Sequence, residues 1–152
     1  MIELALTLTR LPDWPERLAL TIERARGVHF AWGSADCVSF AAACVHAVTG
    51  ADVLGPGRGG WSTATTAARQ LARRGGLAQA VRTVLGPECH SPLQAQRGDI
   101  LLVQGQRASF LGVCDGPRWW APSAGGLVAG VASLAVAYWP IGWQPAQVVA
   151  HG

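Results

Sequence analysis

Trp32-Gly33-Ser34-Ala35-Asp36-Cys37-Val38-Ser39-Phe40 is the stretch that decides the fold of this chain. Asp36 stands where a side-chain oxygen can take the free amide groups of a first helical turn, so the spacing predicts a helix from about Cys37 to Val48. Thr49-Gly50 stops it. Val38, Ala41, Ala42, Cys44, Val45 and Val48 make that helix apolar on more than one face, which marks it as central and buried. Cys37 falls in the first turn, where the positive end of the helix dipole and unpaired amides are expected to lower the pKa of a thiol. It is a candidate nucleophile; the alternative is a small buried apolar residue.

On the N-terminal side, Asp13 and Glu16 read as a capping box for a helix whose face is Leu18, Ile22 and Ala25 and whose end is Gly27. On the C-terminal side, Ser62 is the expected cap of a third helix reaching Arg74. Leu77, Ala80, Val81 and Val84 predict a short fourth one, ended by Gly86. From Gly98 the pattern changes to strands: Asp99 to Val103, Phe110 to Cys114, Arg118 to Ala121, then Gly126 to Val131 and Val136 to Ile141. Helices followed by strands predict an α+β domain, its N-terminal helices packed on one side of a C-terminal antiparallel sheet.

Composition limits what such a domain can do. Half of the 152 residues are hydrophobic and 14% are charged, which excludes a disordered chain and suits one domain over 1–152. The net charge is +3, but the arginines are scattered, so no nucleic-acid partner is expected. Gly125 to Trp143 carries no charge, yet its glycines and short alternating pieces favour buried strands over a membrane span. Met1-Ile2-Glu3-Leu4 shows no signal peptide, and synthesis in the bacterial cytoplasm is expected. Cys37, Cys44, Cys89 and Cys114 form no CxxC pair and are expected as free thiols. Cys89-His90 with Cys114 matches no zinc spacing, so neither a metal nor a cofactor is expected.

The segment Trp32 to Phe40 resembles the nucleophile motif of NlpC-type cell-wall peptidases, in which a Trp-Gly segment leads to Asp-Cys-Ser-Gly-Phe at the head of a helix. Arg97-Gly98-Asp99-Ile100-Leu101-Leu102 is similar to that family's Gly-Asp-Leu strand, and Phe110-Leu111-Gly112-Val113-Cys114-Asp115-Gly116 to its His-Val-Gly-Ile strand. The Trp-Pro-Glu-Arg-Leu opening and Trp32 to Cys37 resemble a short branch encoded in phage and gene-transfer-agent tail clusters. The resemblance implies a papain-like fold, a Cys37 nucleophile preceded by Asp36, and a place in the virion tail.

The departure from the family pattern falls on the base. Aligning Gly112 puts Phe110 where the family has its catalytic His, and Phe accepts no proton. His29 and His90 are the remaining base candidates; His46 lies nine residues past Cys37, two and a half turns away, and is too far. Trp32, Trp61, Phe110, Trp119 and Trp120 are the candidate binding residues, the last two for a docking face of the sheet. Three functions compete. One is a tail-tip component with a degenerate catalytic site, bound to a hub or fibre-bearing protein. Another is an active peptidoglycan endopeptidase, and the third a module that binds a peptidoglycan peptide.

Overall fold

The computed structural model describes residues 8–55 and 60–145. Four α-helices in these residues precede the sheet: α1 (Trp14–Ala25), α2 (Cys37–Thr49), α3 (Ala64–Arg73) and α4 (Leu77–Leu85). The strands are β1 (Ile100–Gln104), β2 (Ser109–Asp115), β3 (Arg118–Ser123), β4 (Gly126–Val131) and β5 (Ala137–Trp139), with 3-10 turns at Pro92–Gln94 and Ala132–Leu134. They form one sheet in the order β4-β3-β2-β1-β5, every neighbouring pair antiparallel. The domain is α+β, and the charge-free stretch after Gly125 is β4, a 3-10 turn and β5. Among the described residues no helix is long and apolar enough to cross a membrane.

Alternation along the strands sorts the two faces. Ile100, Leu102, Leu111, Val113, Trp120 and Trp139 turn toward the helices. There they meet Phe40, Ala41, Cys44, Val45 and Val48 of α2 and Leu18 and Ile22 of α1. Each such aliphatic side chain, once buried, contributes roughly 1.5–3 kcal/mol, which is why α2 holds its place between α1 and the sheet. Leu101, Val103, Phe110, Cys114, Trp119 and Tyr138 turn the other way, under Cys89, Trp143 and the 3-10 turn with Ala132 and Ala135.

Two expected caps are replaced. Asp13 precedes α1 but its side chain caps nothing: its ψ of 23° is not the extended conformation that a capping residue needs, and Pro15 has already removed one free amide from the first turn. For α3 the cap is Thr63, not Ser62. Thr63 Oγ1 accepts from the Thr66 N–H at 3.1 Å, and Thr66 Oγ1 accepts from the Thr63 N–H at 3.0 Å. Thr66 thus does what a Glu or Gln does in the usual capping box.

The two ends of the described chain are joined at Asp99, which is 0% exposed. Its Oδ1 accepts from Arg10 at 3.0 Å, the Ile141 N–H at 2.9 Å and the Trp143 indole at 2.8 Å, while Oδ2 accepts from the Gln96 N–H at 2.7 Å. Arg10 also donates to the carbonyls of Ile141 and Arg97. Burial pushes the Asp99 carboxyl upward in pKa even with these donors around it.

Candidate functional site

The turn before α2 is built around Asp36. It is 2% exposed; Oδ1 accepts from the Ser39 N–H at 2.8 Å and Oδ2 from the Gly33 N–H at 2.7 Å and from the Trp61 indole. Gly33 has φ of 84°, and a Cβ there would lie 2.0 Å from the Trp61 carbonyl oxygen, so only glycine lets the two loops close over the carboxylate. The expected N-cap is present. Asp36 uses both of its carboxylate oxygens to hold this turn.

Cys37 opens α2, half-buried and packed against the helix-side core. Its pKa is pushed up to about 11, not down, chiefly by burial and further by the nearby charge of Asp36. Main-chain amides of Leu111, Cys37 and Val38 act in the opposite sense but do not win. This corrects the expectation drawn from the helix start: amides at a helix terminus lower a thiol's pKa only as far as desolvation lets them. At neutral pH Cys37 carries about a hundredfold less thiolate than an ordinary thiol of pKa 9.0. Among the described residues no histidine acts on it.

The other candidates are dispersed. His29 is exposed, its Nδ1 2.8 Å from the Ala124 carbonyl; His90 is exposed beside Glu88. Neither acts on the thiol. Phe110 lies on the sheet face away from the helices, so it is not opposed to Cys37; the residue of β2 whose main chain reaches the thiol is Leu111, buried and on the helix side. The alternation of Leu111 with Val113 carried that information in the sequence.

The tryptophans are corrected as well. Trp120 is 8% exposed, inside the helix-side core, with Arg26 and Arg118 over its ring and its indole donating to Asp115 at 2.9 Å, so it is not available for docking. Trp119 is on the opposite face as alternation required, but half-buried: it packs edge-on against Phe110 and fills the space above two glycines. A Cβ on Gly130 would fall 2.2 Å from its ring, and one on Gly112 within 3.1 Å of its Cβ. Trp32 is 41% exposed and stands edge-on to Phe30; Trp61 is half-buried over Asp36. The exposed apolar side chains of the strand end are instead Val128, Val131, Leu134 and Val136.

Sequence reading placed Asp99 at the start of a strand and missed it as the residue that closes the domain. Its class is thus an α+β domain with a capped, cysteine-headed central helix against an antiparallel sheet. The chain belongs to the DUF6950 family, a domain of unknown function, whose pattern matches residues 9–141. No curated protein and no solved structure matches it.

Proposed function

We propose that this chain is a tail-tip component of a phage-like particle that keeps an NlpC-type, papain-like arrangement without its hydrolytic chemistry. The observation that carries the second half is the state of Cys37: a thiol held up to about 11 by burial, with no imidazole of the described residues acting on it, is a poor nucleophile. The first half rests on the order of the three motifs and on the Trp-Pro-Glu-Arg-Leu opening, which the α+β architecture accommodates. In this reading the chain meets a hub or fibre-bearing tail protein through the uncharged surface of β4 and the turn after it, where Val128, Val131 and Leu134 are exposed.

Two experiments test it. Purified peptidoglycan incubated with native protein and with Cys37→Ala is expected to release equal, background amounts of peptide; release that depends on Cys37 would restore the peptidase. Particles from a strain lacking the gene are expected to have incomplete tails by electron microscopy, and intact infectious tails would remove the structural role.

A further inference from the structure

Burial sorts the thiols of this chain. It pushes Cys37 and Cys114 up to about 11 and Cys44 higher still, so all three stay protonated and unreactive near neutral pH. Cys89 stands apart: it is half-buried, lies between α4 and the 3-10 turn at Pro92–Gln94, and borders β5 at the end of the sheet. Its N–H donates to the Tyr138 carbonyl at 2.7 Å, and its carbonyl accepts from the Tyr138 N–H at 2.9 Å. Residues opposed in this way carry their side chains on one face, here the face away from the helices, where both pack.

Tyr138 is 0% exposed and stacked on Trp143, and its hydroxyl oxygen is buried with no hydrogen-bond partner among the described residues. Burial, and after it the Cys89 thiol, push the phenol up to about 12, so it keeps its proton and is a donor at neutral pH. The thiol beside it is a weak acceptor and makes no bond of ordinary geometry with it. Phenylalanine would fill the same space without leaving a buried hydroxyl unmet. An oxygen carried by the Cys89 sulfur would meet it. Nothing then has to reach the hydroxyl from solvent, because the oxygen arrives on the half-buried cysteine.

We propose that Cys89 is the peroxide-sensitive thiol of this chain and that the Tyr138 hydroxyl holds the sulfenic acid it forms. The thiolate sulfur attacks one oxygen of hydrogen peroxide; the S–O bond forms as the O–O bond breaks. The departing hydroxide takes up the proton the thiol had released and leaves as water, so sulfur is oxidised and peroxide reduced. The proposal does not rest on the reading of Cys37. The test treats the full chain with hydrogen peroxide, traps sulfenic acid with dimedone and locates the adduct by peptide mass spectrometry. Cys89 is expected to carry at least about tenfold more adduct than Cys37, Cys44 or Cys114, and unfolding in urea should even out the labelling. Tyr138→Phe should melt no lower than the native chain. When catalase removes the peroxide and dimedone is added after a delay, its sulfenic acid should have decayed severalfold faster. Even labelling of the folded chain, a preference for Cys89 that survives urea, or an equally long-lived sulfenic acid in Tyr138→Phe would overturn the proposal.

Discussion

Asp36 and Asp99 are both buried carboxylates, each gathering main-chain amides and one tryptophan indole, yet they do different work. The donors of Asp36 come from residues 33, 39 and 61, so it shapes the turn before α2 and holds the loop at Trp61 against it. Those of Asp99 come from residues 10, 96, 141 and 143, so it ties together segments distant in sequence. Asp99 has a guanidinium partner; Asp36 has only dipoles. A local carboxylate is therefore expected to tune its neighbour Cys37, and a bridging one to decide whether the domain holds together.

The largest effect should come from Asp99→Ala. Removing it leaves Arg10, largely buried, without its partner, and chemical denaturation should show a loss of about 3 to 5 kcal/mol. If the loss is no larger than for Asp36→Ala, the distinction fails. Asp36→Ala removes a cap and strands two other donors, for a smaller loss of about 1 to 3 kcal/mol in the same measurement.

Asp36→Asn sharpens the comparison, because it keeps the size and removes the charge that raises the Cys37 pKa, although its NH2 then faces the Ser39 N–H or the Gly33 and Trp61 donors and gives up those bonds. Alkylation of Cys37 followed by mass spectrometry at pH 8 should become faster, and an unchanged rate would separate the two residues. A related pair concerns β2. Phe110→His should leave that rate as it is, since position 110 faces away from the helices, whereas Leu111→His puts an imidazole on the thiol's side and should raise it at some cost in stability.

The smallest expected effect lies far from both. Arg82 holds the Glu88 carboxyl down to about 2, below its ordinary 4.5. A depressed acid contributes stability above the unfolded value, and that contribution is lost as pH falls from about 4.5 toward 2. Thermal melts across this range should therefore steepen downward for the native protein more than for Glu88→Gln.

Much of the architecture was legible because hydrophobic period and punctuation are local. Gly50 at φ of 80° ends α2 where Thr49-Gly50 said it would, and β4 covers Gly126–Val131 as read. What was not legible depended on distant neighbours. The thiol's titration is set by burial under β2, which no spacing around Cys37 reveals. The fate of Trp119 and Trp120 turned on Gly130 and on Arg26, residues that become neighbours only once the sheet has formed. Thr63 outdid Ser62 as a cap because Thr66 is in register with it, a hydroxyl pairing weaker as a signal than a Glu or Gln.

The closure at Asp99 also has a kinetic side. Arg10 and Ile141, 131 positions apart, can meet there only after the intervening helices and strands have brought them together, so the contact belongs to the final stage of assembly. Disturbing it should therefore leave the rate of folding nearly unchanged and hasten unfolding, moving one arm of a chevron plot and not the other.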